Sequence, residues 1–380
     1  MSGFRKLVVA TAILAATGNG AAWAEDPAFA SKAALGEALF FDMDLSKTRS
    51  QACASCHQPE YGFADNRGAV SVGDDGVSLG DRNAPTAGYA AFSPRFHRRG
   101  DGAWVGGQFL DGRAADMAEQ AGGPPLNPVE MGMPDKASVV ARLRENDDYV
   151  ASMQALYGDD IFGDADHAYG AMTDAIAAFE TTDYFAPFDS KYDRYLRGEA
   201  ELTPQEDLGR LLFFSEQFTN CNQCHQLLTS PVSPVETFSN YEYHNIGVPV
   251  NAEVREANGL GPGHVDRGLL ENPGVDDPAQ AGKFKVPTLR NVAVTAPYMH
   301  NGVFEDLRTV ILFYNKYNSK SAKRQINPET GQQWAAPEVA ENLSLEQLTH
   351  GPALEDERID ALVAFLKTLT DARYEDLQEE

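Results

Sequence analysis

Only four cysteines occur in 380 residues, and all of them fall in two C-x-x-C pairs, so none is left over to build a disulfide framework. Basic residues are scarce too: 31 against 56 acidic ones leave a net charge of −25. That balance repels nucleic-acid phosphate and anionic membrane, which excludes both as partners and favours steering of a basic one. No low-complexity tract is present, and 43% hydrophobic with 23% charged residues excludes extended disorder. Long apolar runs are missing as well. The stretch Leu7 to Thr17 holds roughly 11 residues where a bilayer span needs about 20, and no later segment is longer.

That short run nevertheless has a context. Arg5 and Lys6 precede it, and Ala22-Trp23-Ala24 follows just before Glu25, which is the charged, apolar and small-residue order of a secretory signal peptide. A membrane anchor is the competing reading, and the length of the run argues against it. Residues 1–24 are expected to be cleaved, leaving a protein of an oxidising compartment, the bacterial periplasm.

The cysteines read Cys53-Ala54-Ser55-Cys56-His57 and Cys221-Asn222-Gln223-Cys224-His225. Two thiols three positions apart can each form a thioether to one haem, and the adjacent histidine is then held under the iron as proximal ligand. Zinc ribbons bring their second pair about 15–20 residues after the first, whereas Cys56 and Cys221 are 165 positions apart. Thioredoxin-type dithiols open a helix after a strand, and no βαβ pattern surrounds these pairs. Two covalent haem c groups follow, on Cys53, Cys56 and His57 and on Cys221, Cys224 and His225.

An internal repeat sets the expected architecture. Ala34-Leu35-Gly36-Glu37-Ala38-Leu39-Phe40-Phe41 precedes the first motif, and Asp207-Leu208-Gly209-Arg210-Leu211-Leu212-Phe213-Phe214 precedes the second. Leu35 and Leu39, like Leu208 and Leu212, recur four residues apart, and Thr203-Pro204 with Glu206 forms a helix start with a capping box. Each half closes with another amphipathic helix, through Met172, Ile176 and Phe179 in the first and through Ile359, Leu362, Val363, Leu366 and Leu369 in the second. The fold class is therefore mainly α, with two cytochrome c-like haem domains related by internal duplication, at 25–200 and 201–380, and few strands. The polar stretch Thr181 to Leu202 is the expected connection between them. Gly68 to Asn83, Gly100 to Gly107 and Asn245 to Gly282, rich in Gly, Asp and Pro, are expected as long ordered loops.

Beyond the haem motifs, FLDGRA from Phe109, LNPVEM from Leu126, KVPTLRNV from Lys285 and APYMHNG from Ala296 resemble the bacterial di-haem cytochrome c peroxidase superfamily over almost the whole chain after the leader. GDRNAPTAGYAA from Gly80, EYHNIGVPVN from Glu242 and GVFEDLRTVILFYNKYN from Gly302 look closest to its methylamine-utilisation branch. The resemblance implies an oxidoreductase that uses peroxide, or dioxygen plus electrons, to complete tryptophan tryptophylquinone in the precursor of methylamine dehydrogenase. A peroxidase that reduces hydrogen peroxide with electrons from a small redox protein is the alternative. A plain electron carrier is a third reading, and it leaves a distal pocket without purpose.

The same resemblance assigns roles. The N-terminal haem is the reactive, high-spin one, and no histidine between His57 and Asn83 is available to close it, although His97 lies further on. Glu130 and Gln120 match the distal-pocket positions for moving a proton across peroxide, with Pro124 shaping the pocket; taken alone, Glu130 reads equally as a surface carboxylate near a helix over Lys136 to Glu145. The sixth ligand of the low-spin C-terminal haem falls on Tyr314, in a helix from about Asp306 to Tyr317, and no methionine follows Met299. A phenolate there favours the higher oxidation states of iron. Core packing of Val310, Leu312, Phe313, Tyr314 and Tyr317 is the plain alternative, and Tyr317 is the rival ligand. Asn83, through its side chain, and the carbonyls of Thr295 and Pro297 match the positions of a calcium ion, whose hardness suits oxygen donors; Asp74-Asp75-Gly76 lacks EF-hand spacing and reads as a turn. Two departures stand out. Leu110 and Thr219 occupy places where relatives carry tryptophans, so transfer between the haems needs direct tunnelling or another aromatic such as Phe109.

Overall fold

The computed structural model describes residues 27–219, 221–225 and 236–378, so the leader over residues 1–24 lies outside the described residues. The helices are α1 (Lys32–Phe40), α2 (Cys53–Cys56), α3 (Met117–Ala121), α4 (Lys136–Leu143), α5 (Asp147–Tyr157), α6 (Ala165–Glu180) and α7 (Lys191–Leu196). They continue with α8 (Pro204–Phe213), α9 (Cys221–Cys224), α10 (Ala252–Ala257), α11 (Leu307–Asn315), α12 (Leu345–Leu348) and α13 (Asp356–Lys367). Strands are two residues long: β1 (His97–Arg98) pairs antiparallel with β2 (Trp104–Val105), and β3 (Tyr243–His244) with β4 (Phe284–Lys285), His97 facing Val105 and Tyr243 facing Lys285. The chain is thus mainly α, joined by long irregular segments that are ordered by hydrogen bonds and short 3-10 turns.

Two helix pairs organise the packing. In the first, α1 lies on α6 and buries Leu35, Leu39 and Phe40 against Met172, Ile176 and Phe179. In the second, α8 lies on α13 and buries Leu212 and Phe213 against Ala361, Leu362, Phe365 and Leu366. Both crossings depend on one missing side chain. A Cβ on Gly36 would stand 1.9 Å from the carbonyl oxygen of Ala175, and a Cβ on Gly209 would stand 1.9 Å from that of Ala361. Backbone cannot retreat as a flexible side chain can, so Gly209→Ala forces the helices apart. The expected loss is about 1–3 kcal/mol, read as a lower denaturation midpoint with haem content unchanged.

The capping box expected at Thr203 is present, with Glu206 N–H donating to Thr203 Oγ1 and Thr203 N–H donating to Glu206 Oε2. The stretch Thr181 to Leu202 runs from one core to the other: it places Phe185 in the first core and, through α7, Tyr192 in the second. Its polarity hides a buried ion pair: Asp193 accepts from Arg290 Nη1 and Nη2 at 2.5 and 2.9 Å, both side chains being almost fully buried. Arg290 also donates through Nε to the carbonyl of Glu236, and so ties α7 to the KVPTLRNV segment. A charge that is matched and hydrogen-bonded on all sides can be buried, whereas composition alone counts it as solvated.

Candidate functional site

Each C-x-x-C-H motif forms one helical turn, which sets its two cysteines on one face. In the first, the Ala52 N–H donates to Ser55 Oγ, and the His57 N–H donates to the carbonyl of Cys53 as the turn closes. His57 Nδ1 lies 3.3 Å from the carbonyl oxygen of Phe63. A carbonyl only accepts, so Nδ1 carries the proton and Nε2 presents its lone pair. In the second motif, His225 Nδ1 lies 3.0 Å from the carbonyl oxygen of Phe238 in the same arrangement. Phe63 and Phe238 both hold positive φ, 58° and 57°, an uncommon backbone for a bulky residue that turns each carbonyl toward its histidine. Sequence inspection missed both, because they follow their histidines by different intervals, 6 and 13 residues.

The chemistry of these groups fits haem attachment. Burial lowers the pKa of His57 and brings His225 down to about 4, so both imidazoles stay neutral, the form that ligates iron. Burial also pushes the Cys53 and Cys56 thiols up, which keeps them protonated. Among the described residues no three His, Cys, Asp or Glu side chains stand together as a metal cage. A cavity of about 390 Å³, within the range of about 300–1,000 Å³ usual for bound small molecules, is lined by Cys221, Cys224 and His225 and by apolar side chains such as Phe213, Leu289 and Leu362.

Tyr314, on α11, lines that same cavity. Burial pushes its phenol pKa far up, so an iron that took this oxygen would have to displace the proton. Tyr317 is engaged elsewhere, its hydroxyl donating to the carbonyl of Ile246 at 2.9 Å. Met299 also borders the cavity while packing among Val248, Phe304 and Phe313.

The three distal candidates lie on one folded segment. Gln120 sits in the last turn of α3 and its carbonyl accepts the Gly123 N–H; Pro124 begins a 3-10 turn and accepts the Met131 N–H; the Glu130 carbonyl accepts the Asp74 N–H. Glu130 is half-buried, with Oε1 accepting from Asn127 Nδ2 at 2.8 Å, and its charge is felt by both Cys53 and Cys56. Burial raises its pKa more than Arg113 and Asn127 lower it. His97, by contrast, is exposed on β1, and its Nδ1 donates to the carbonyl of Arg95. Asp74 is no idle turn residue: its carboxylate accepts from Thr48 and Ser50 and pins the loop that carries Glu130.

Asn83, Thr295 and Pro297 all border the cavity, and Asn83 Nδ2 donates to the carbonyl of Ala69. Leu110 lines it as well, its carbonyl accepting the Lys285 N–H, and Asp111 beside it is a structural hub that pairs with Arg82 and Arg113. Thr219 is buried, its hydroxyl donating to the carbonyl of Leu212. Two buried titratable groups were not visible beforehand. Glu180, at the end of α6, has an unpartnered Oε2, and burial pushes its pKa up to about 8. Lys285 Nζ donates to the carbonyl of Gly107 inside the cavity wall, and burial pushes it down to about 7.

Comparison with known proteins agrees with this geometry. Residues 30–201 match the family described as di-haem cytochrome c peroxidase. The chain is 57% identical over 359 residues, 93% of this chain and 92% of the relative, to the methylamine utilization protein MauG of Paracoccus denitrificans. It is 34% identical over 277 residues to the cytochrome c peroxidase Ccp of Escherichia coli, covering 73% of this chain and 51% of that protein, about half its length. Among solved structures, the diheme peroxidase BthA from Burkholderia thailandensis superposes with a TM-score of 0.79 at 32% identity, covering 90% of this chain and 87% of that one.

Proposed function

The chain belongs to the di-haem cytochrome c peroxidase family, and from that premise we propose that it is a MauG-type oxidase that completes tryptophan tryptophylquinone in the precursor of methylamine dehydrogenase. The observation that carries this reading is the 57% identity to MauG across nearly the full length of both chains. The protein is an oxidoreductase with two haem groups. Their covalent attachment as haem c at Cys53 and Cys56 and at Cys221 and Cys224 is supported by paired thiols beside a neutral, oriented histidine in each motif.

When bound, the haem pair supplies a store for the oxidising equivalents of peroxide. The chain supplies positioning and protons. His57 and His225 would hold the irons, their Nδ1–H groups fixed by the Phe63 and Phe238 carbonyls. Glu130, with Oε1 held by Asn127, is left with Oε2 to take a proton from peroxide and return it to the leaving oxygen. Gln120 steadies the developing charge, and Pro124 shapes the pocket wall. Tyr314 would ligate the iron of the C-terminal haem together with His225, a reading supported by its place in the cavity of His225 and by the separate engagement of Tyr317. Asn83, Thr295 and Pro297 would hold a calcium ion, a reading supported by their shared border on that cavity and by their oxygen donors.

The two units, 25–200 and 201–380, descend from one duplicated haem domain, supported by the twin glycine crossings and the twin histidine–carbonyl contacts. A periplasmic location follows from the leader in the sequence, and no described helix is long and apolar enough to cross a membrane. A small redox protein would donate electrons when dioxygen is the oxidant. The test mixes the holoprotein with methylamine dehydrogenase precursor and hydrogen peroxide. Quinone absorbance should grow in without any added donor. Peroxide loss only in the presence of a reduced cytochrome, with no quinone formed, would assign the protein to the ordinary peroxidases.

A further inference from the structure

The two proximal histidines are joined through the protein by a short polar and aromatic route whose midpoint is Tyr89. On the first side, the Phe63 carbonyl that accepts from His57 also accepts the Ala87 N–H at 3.1 Å. Two residues on, the Tyr89 N–H donates to the carbonyl of Phe185, whose ring stacks on Phe63 at 4.3 Å. On the second side, the Phe238 residue that accepts from His225 lays its ring 5.3 Å from the Arg290 guanidinium, which lies 5.4 Å from the Tyr89 ring. Tyr89 is buried and lines the cavity of the second motif, although it belongs to the first half of the chain.

Its hydroxyl is equipped for oxidation. The Tyr89 O–H donates to Asp371 Oδ1 at 2.5 Å, and the same oxygen accepts the Phe188 N–H at 3.2 Å. Asp371 Oδ2 is held by Asn291 Nδ2 at 2.8 Å. Other aromatic side chains on the cavity wall lack this equipment. Phe109 has no proton to give and carries the Arg113 guanidinium 3.7 Å above its ring. The Tyr241 hydroxyl is hydrogen-bonded to the hydroxyl of Thr237, which is no base.

We propose that Tyr89, with Asp371 as its proton acceptor, is the redox relay between the two haem sites; this rests on the two-haem oxidase reading above. One electron leaves the phenol for the haem site that peroxide has oxidised, whose iron is thereby reduced by one. The phenolic O–H bond breaks, and its proton moves to Asp371 Oδ1, leaving a neutral phenoxyl and a neutral carboxylic acid. The phenoxyl then takes one electron from the other haem site, and the proton returns from Asp371. The net change is one electron moved between sites with no proton lost. Burial raises the pKa of both groups, so the phenol does not ionise unaided and the carboxylate is a better acceptor than one in water.

The test uses holoprotein grown with ring-deuterated tyrosine and treated with one equivalent of hydrogen peroxide, followed by stopped-flow absorption and freeze-quenched EPR. In the wild type both ferric signals should fall, with a transient phenoxyl signal that deuteration narrows. In Tyr89→Phe that signal should vanish, and the loss of the C-terminal ferric signal should slow at least tenfold while the N-terminal one falls at its usual rate. Asp371→Asn, which keeps the ring and removes the base, should slow the same step and decides the matter if Tyr89→Phe does not assemble both haems. Wild-type rates at both irons in a fully haem-loaded Tyr89→Phe or Asp371→Asn protein overturn the relay alone. No change in either ferric signal of the wild type on adding peroxide overturns the oxidase reading and the relay with it.

Discussion

Replacing Tyr314 by methionine should abolish the loss of the C-terminal ferric signal on adding one equivalent of peroxide, while the N-terminal ferric signal still falls. A phenolate donates charge and stabilises the higher oxidation states of iron, whereas a thioether favours the ferrous state. Axial ligand choice moves haem potentials over about 0.8 V, so the C-terminal potential should rise by a sizeable part of that span. The side chain is in place for this role, since Tyr314 lines the cavity of Cys221, Cys224 and His225 while Tyr317 is committed to the Ile246 carbonyl. Redox titration with EPR of the resting and peroxide-treated protein makes the check. Resting EPR of the wild type should show one high-spin and one low-spin haem. Two low-spin irons, or oxidation that requires prior reduction, would refute the assignment of Tyr314.

Glu130→Gln should slow the reaction with peroxide by about 10²- to 10⁴-fold, the usual worth of a positioned acid–base group, or roughly 3–5 kcal/mol of barrier. Glutamine keeps the shape and the contact with Asn127 but cannot shuttle a proton. The pH dependence follows from the direction of the shift. Burial raises the Glu130 pKa, and the group must begin as carboxylate, so the rate falls as pH drops through a value above the ordinary glutamate range. In Glu130→Gln that acid limb should disappear. Stability moves the other way. A carboxyl whose folded pKa is raised contributes stability below its unfolded pKa and loses it as pH rises through the folded one. Glutamine resembles the protonated form, so the variant should melt no lower than wild type at neutral pH. A variant that loses both rate and folding would point to a structural role for Glu130.

Much of this was legible from local pattern. C-x-x-C-H states its own chemistry, since attachment and ligation use neighbouring residues. The four-residue spacing of Leu35 and Leu39, and the capping box at Thr203 and Glu206, likewise depend only on helical geometry. What the composition of Thr181 to Leu202 could not show is that one of its charges is buried, because burial depends on a partner outside the segment. Asp193 finds Arg290 97 positions away, and no window along the chain contains both. Phe63 and Phe238 were hidden for a related reason. What matters is a carbonyl turned by a positive φ, which carries no residue signature and occurs at a different distance from each histidine.

The candidate site divides along the same line. The two haem motifs were legible in the linear order of side chains, because each is a short contiguous motif, whereas Glu130 and Tyr314 were singled out only by the resemblance of the segments that hold them. Which of two nearby tyrosines borders the cavity was decided only in three dimensions, where the Ile246 carbonyl takes up Tyr317. The meeting of Tyr89, Arg290 and Asp371 between the two motifs likewise depends on tertiary structure. Their pairings span 282 residues for Tyr89 with Asp371 and 97 for Arg290 with Asp193. Contacts of that range are settled by the closure of the whole chain and by the need to neutralise every buried charge, and neither condition is local to any stretch of sequence.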